Sequence, residues 1–170
     1  IVNLNTGTAL DMGTNGAAAV YGVNTSVTNS AGLNIGNSNY GFILQGGSFV
    51  NSTGTISSTG TDSVYMYGTG AVNVVNNGDV TMTGSDNVGF YLDKDSAGGA
   101  GVAAVVNNGV ISGTAGKNNV GIYNYGGVVN NTGSVSVGSS DLVFTPGTTD
   151  VDVQNSKYSV GIYGENAAII

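Results

Sequence analysis

Ten carboxylates and three Lys are the whole charged complement of this 170-residue chain, which has no Arg, His or Cys. Any chemistry must start from Asp, Glu, Tyr or amide side chains. Asp93 and Asp95 flank Lys94 on a Gly-rich stretch, Asp141 stands near the only Pro, and Asp150 and Asp152 alternate in a strand-like run that puts them on one face. Hydrolysis of a glycoside needs two opposed carboxylates held by rigid elements. Neither acidic pair comes with a partner strand of carboxylates. Serine, cysteine and zinc chemistries lack the His or Cys they require. The expectation is a protein that is not an enzyme, with no metal and no cofactor.

The composition says what the elements must be. Apolar residues make up 40% of the chain and charged residues 8%, where soluble domains carry roughly a quarter. Low charge with abundant Val argues against disorder. Val and Thr favour strands, and Gly and Asn favour tight corners, so the chain reads as all-β. A net charge of −7 with three Lys leaves no footprint for nucleic acid and disfavours anionic lipid. No apolar run of about 18 residues is present, so no membrane contact is expected from this segment.

The elements repeat. A V-G-I-Y phrase ends at Tyr21, Ile43, Tyr67, Tyr91, Tyr123 and Tyr163, in steps of 22, 24, 24, 32 and 40. A V-N-N-G phrase, intact or degraded, alternates with it and has its Gly at Gly7, Gly32, Gly54, Gly78, Gly109 and Gly133. The base period is thus about 24 residues, and two steps contain insertions. Val64 and Met66, Val88 and Phe90, Val120 and Ile122, and Val160 and Ile162 alternate as the inward residues of half-buried strands. Ile56, Val80, Ile111 and Val135, two after the Gly, start another strand.

With strands of about 5 residues, 24 residues hold three strands and three corners. Successive coils then pair in parallel, about 4.8 Å apart. The expected fold is a right-handed parallel β-helix, a single solenoid over residues 1–170. Hexapeptide, nonapeptide, leucine-rich and propeller repeats do not fit the period or the residues. Polysaccharide-cleaving or polysaccharide-binding secreted β-helices form the alternative class. Such lyases, however, use clustered Asp with calcium and a basic residue, and the Lys here are isolated.

In such a solenoid Asn29, Asn51, Asn76, Asn77, Asn107, Asn108, Asn130 and Asn131 fall at one corner. Asn tolerates left-handed backbone, and stacked amides bond from coil to coil. They are expected to form a structural ladder. Tyr67, Tyr91, Tyr123 and Tyr163 stack in a row. They face outward if the Val and Ile face inward, as a covering ladder or as a surface for sugar or protein, although the alternation also admits the opposite facing. Two insertions, near 92–101 and 139–157, interrupt the phrase, the second with room for a small hairpin. They carry Asp93, Asp95, Asp141, Asp150 and Asp152 and are the natural place for a binding role. Neither end shows a polar cap, so a slice of a longer solenoid is expected.

The stretches "NVGFY", "NVGIY", "SVGIYG", "VVNNGDV" and "VVNNGVI", in this order and spacing, resemble the passenger repeats of type V autotransporter adhesins, most closely the large fusobacterial outer-membrane adhesins. The two insertions depart from that plain repeat. The resemblance implies a β-helix displayed on the bacterial cell surface, outer-membrane anchored or secreted, with an anchoring barrel outside this segment. It implies adhesion to a protein or glycan on another cell and transfers no catalytic residue.

Overall fold

The computed structural model describes residues 1–7, 9–13, 15–94, 103–141 and 158–170. Among them every regular element is a β-strand, and every strand pairing is parallel. The chain winds as a parallel β-helix of about five coils. Ladder partners Ala18 and Tyr40 are 22 residues apart, Tyr40 and Val64 are 24, and Val64 and Val88 are 24. Val88 and Val120 are 32 apart and Val120 and Val160 are 40, so the insertions lengthen coils without breaking the register.

Two sheets form the walls. The larger begins with β1 (Val2–Leu4), β3 (Ala18–Asn29), β5 (Tyr40–Asn51) and β7 (Val64–Asn76). It then forks. One branch is β9 (Val88–Asp93), β12 (Val120–Tyr125) and β15 (Val160–Glu165). The other is β10 (Ala104–Asn107), β13 (Val128–Asn131) and β16 (Ala168–Ile169). The fork exists because the early coils pass straight through a bend, at Asn24, Gly46–Gly47 and Gly70–Ala71, where later coils break. The smaller sheet stacks β2 (Ala9–Met12), β4 (Gly32–Ile35), β6 (Thr55–Ser58), β8 (Asp79–Met82), β11 (Val110–Gly113) and β14 (Ser134–Val137). Each coil thus holds the three strand segments and three corners that the period demands.

The core is a set of columns. Val27, Phe49, Val74, Val105 and Val129 lie in register and are buried. Leu33, Ile56, Val80 and Ile111 do the same on the smaller sheet, with Val135 packed against them. Phe42, Met66, Phe90 and Ile122 make a third column. Burying such side chains is worth about 1.5–3 kcal/mol each.

Two expectations need correction. Val64, Val88, Val120 and Val160 do not join the core of Met66, Phe90, Ile122 and Ile162. They belong to a second cluster with the tyrosines. The residue after Tyr40, Val64, Val88 and Val120, at Gly41, Tyr65, Gly89 and Gly121, is skipped in the ladder, and strict alternation fails there. In the V-N-N-G phrase Val74, Val105 and Val129 are buried in the core, whereas Val75 and Val106 are half-buried. The first insertion also starts later than residue 92. Leu92 is a buried core residue of β9, and Asp93 pairs with Thr69.

One corner shows why Gly recurs. A Cβ on Gly116 would run into the carbonyl of Gly84, and one on Gly84 into that of Gly60. Coils approach there too closely for any side chain.

Candidate functional site: amide ladders, a tyrosine row and a groove

The Asn corner is a continuous chain of side-chain hydrogen bonds. Asn29 Nδ2 donates to Asn51 Oδ1 at 3.0 Å, Asn51 to Asn76 at 2.8 Å, Asn76 to Asn107 at 2.8 Å and Asn107 to Asn131 at 2.7 Å. Each amide sits two residues after an inward core residue, so the strand period turns it inward. A second, exposed row runs beside it: Asn108 Nδ2 donates to Asn77 Oδ1 at 2.9 Å, and Thr132 Oγ1 donates to Asn108 Oδ1 at 2.8 Å. Asn130 belongs to neither row. It is exposed and pairs with Val106, because Thr132 sets the Asn pair of its coil one residue further from the Gly.

A second buried ladder escaped the sequence reading. Ser63 Oγ accepts from the Asn39 N–H at 3.3 Å, Asn87 Oδ1 from the Ser63 N–H at 3.0 Å, and Asn119 Oδ1 from the Asn87 N–H at 2.9 Å. All four residues are buried. Each follows a residue in the left-handed region: Ser38, Asp62, Asp86 and Asn118, with φ between 52° and 60°. The signal was in plain view, since the residue before each Y-G-F, V-Y-M, V-G-F or V-G-I is Asn or Ser.

The tyrosines stack. Ring centroids lie 5.5 Å apart for Tyr67 and Tyr91, 4.5 Å for Tyr91 and Tyr123 and 5.4 Å for Tyr123 and Tyr163, nearly parallel; Tyr40 meets Tyr67 edge-on at 6.0 Å. They form a cluster apart from the main core, and the middle of the row is no exposed surface: Tyr91 is 6% and Tyr123 7% exposed. The row therefore covers the wall, and only Tyr67 and Tyr163 keep more surface.

Carboxylates meet this row twice in the same way. The Tyr67 hydroxyl donates to Asp93 Oδ2 at 3.3 Å, and the Tyr123 hydroxyl donates to Glu165 Oε2 at 3.0 Å. In both cases the acid stands two residues beyond the Tyr of the next coil. Burial, then the neighbouring Asp93 charge and its hydrogen bond, pushes Tyr67 above the ordinary tyrosine pKa. Tyr123 is pushed up by burial, then by the bond to Glu165 and the neighbouring Tyr91. Tyr65, wholly buried, is raised by burial; its hydroxyl donates to the Thr81 carbonyl at 2.8 Å.

Beside Tyr67 lies an open groove of about 730 Å³, lined by Asn24, Gln45, Gly46, Gly47, Tyr67, Thr69, Gly70, Ala71, Asp93 and Lys94. It occupies the bend of the early coils, at the base of the first insertion. Asp141 is elsewhere, at the base of the second insertion. It pairs with Lys117 at 3.0 Å and accepts from Asn118 Nδ2 at 3.0 Å. The two insertions thus leave different corners, and Asp93 and Asp141 do not form one site. Asp95, Asp150, Asp152 and the expected hairpin lie outside the described residues. Among the described residues no group of three or more acidic side chains could hold a metal ion. No family model, curated protein or solved structure matches the chain.

Proposed function

We propose that this chain is a segment of a surface-displayed adhesin passenger: a β-helical stalk that spaces and presents a binding surface and performs no catalysis. The observation that carries the reading is the use of polar side chains. The Asn29-to-Asn131 chain, buried from Asn29 to Asn107, joins coil to coil along the axis. Asp93, Asp141 and Glu165 hold neighbouring Tyr, Lys and Asn groups. A rod built this way suits reach and display. Its partner is a protein or glycan on another cell, its place is the bacterial cell surface, and an anchoring barrel belongs to sequence outside the segment.

The test is adhesion itself. Beads coated with the purified chain are expected to be retained on epithelial cells or on a lawn of a second bacterium, above beads coated with albumin. Equal retention on every surface would overturn the adhesive reading. Incubation with a panel of soluble polysaccharides is expected to give no turnover. Saturable cleavage that disappears in Asp93→Asn would overturn the non-catalytic part.

A further inference from the structure

We propose that the groove beside Tyr67 binds a neutral oligosaccharide, with the Tyr67 ring as its apolar contact and Asp93 and Gln45 as its hydroxyl partners. The inference rests on the adhesive reading above and names its ligand class.

Size comes first. A concavity of about 730 Å³ falls within the range of small-ligand sites. Its chemistry is that of a polyol binder. Gln45 and Asn24 each offer an amide that both donates and accepts. Asp93 is fixed before any ligand arrives: Oδ2 accepts the Tyr67 hydroxyl at 3.3 Å and Oδ1 the Lys94 N–H at 2.8 Å. A carboxylate has about four acceptor positions, so two remain for adjacent sugar hydroxyls. Tyr67 is braced by Tyr91 and Tyr40, so little side-chain freedom is lost on binding.

The backbone keeps the groove open. Gly46, Gly47 and Gly70 have φ of 74°, 102° and 71°. A Cβ on Gly70 would meet nothing within 4 Å, so it points into open space. Electrostatics select the ligand class. Asp93 and Lys94 offset one another within the lining, so it is the net charge of −7 of the whole chain that disfavours an acidic sugar. Of the Trp, Tyr and Arg anchors that dominate protein interfaces, the lining holds Tyr67 alone.

The experiment titrates the purified chain with lactose, maltose, cellobiose, N,N′-diacetylchitobiose and 3′-sialyllactose, followed by amide chemical shifts. At least one neutral disaccharide is expected to move the Gly46, Gly47 and Gly70 resonances, more strongly than the sialylated sugar. Gly70→Asn, whose residue type tolerates the left-handed backbone, plugs the groove and leaves the coil intact. It and Asp93→Asn are each expected to weaken binding at least about tenfold, with an unchanged melting temperature. No shift with any sugar at about 10 mM, or wild-type affinity in Gly70→Asn, overturns the proposal. If Gly70→Asn beads still adhere like wild type, the groove is not the adhesive site and the adhesin reading stands. If the groove binds sugar but no beads adhere, the adhesin reading fails and the groove stands.

Discussion

Asn107 accepts from the amide of Asn76 and donates to that of Asn131; Asn76 and Asn107 are fully buried and Asn131 is half-buried. Removing its side chain orphans both neighbours. Asn107→Ala is therefore expected to cost about 1–3 kcal/mol in urea unfolding, whereas Asn108→Ala, in the exposed row, should cost a few tenths. Equal small losses would contradict a buried ladder. Asn124 offers the opposite case. It is buried beside Leu92 in register, and its Oδ1 finds no partner among the described residues. Asn124→Leu restores the apolar column and is expected to stabilise by about 1 kcal/mol, although the bond to the Gly126 carbonyl is lost. A lower unfolding midpoint would show that this bond matters more than the orphaned oxygen. The ladder corner was legible from the period, and its membership only in part. Counting Asn pairs admitted Asn130. The informative rule is Asn two before the Gly, as at Asn76, Asn107 and Asn131, with Asn51 displaced by the extra Thr53.

A strand written V-G-I-Y looks like simple alternation. The strand instead serves two clusters, because the residue after Val leaves the ladder. Tyr65 shows what that position is for: in its coil the inward side chain is a tyrosine, and its neighbours in the stack are Gly41 and Gly89. No periodicity argument could separate the two clusters, since both are apolar. Burial of these phenols has a consequence in alkali. Tyr65, Tyr67 and Tyr123 are all held above their ordinary pKa, so folding favours the neutral form. A raised folded-state pKa contributes stability that is complete below the unfolded tyrosine value, about 10, and is lost as pH rises beyond it. Melting temperature is thus expected to hold through pH 9 and to fall steeply above about 10. Tyr65→Phe removes the most deeply buried of the three phenols. It should melt lower at neutral pH, by about 1 kcal/mol for the lost bond to Thr81, yet show a shallower alkaline fall. Parallel alkaline profiles for the two proteins would remove Tyr65 from that account.

At the scale of the molecule, each coil touches only the coils before and after it, so stability adds along one axis. Ion pairs contribute little: Lys117–Asp141 is largely exposed, and such surface pairs are worth about 0–1 kcal/mol. Close stacking at the corners contributes more, which is why the period was readable at all. A corner that tolerates only one residue type makes that residue recur every coil, whereas the insertions repeat no phrase and leave no rhythm to read. Gly116 tests this directly. Its Cβ would strike the Gly84 carbonyl, which no rotamer can relieve. Gly116→Ala is expected to cost about 3 kcal/mol, delivered locally. In native-state hydrogen exchange, protection should fall in β8, β11 and β14, which stack around that corner, and stay near wild type in β3, four ladder steps away along the larger sheet from β13. An equal fall in β3 and β11 would mean that the coils melt as one unit, and the rod would then be a single cooperative domain.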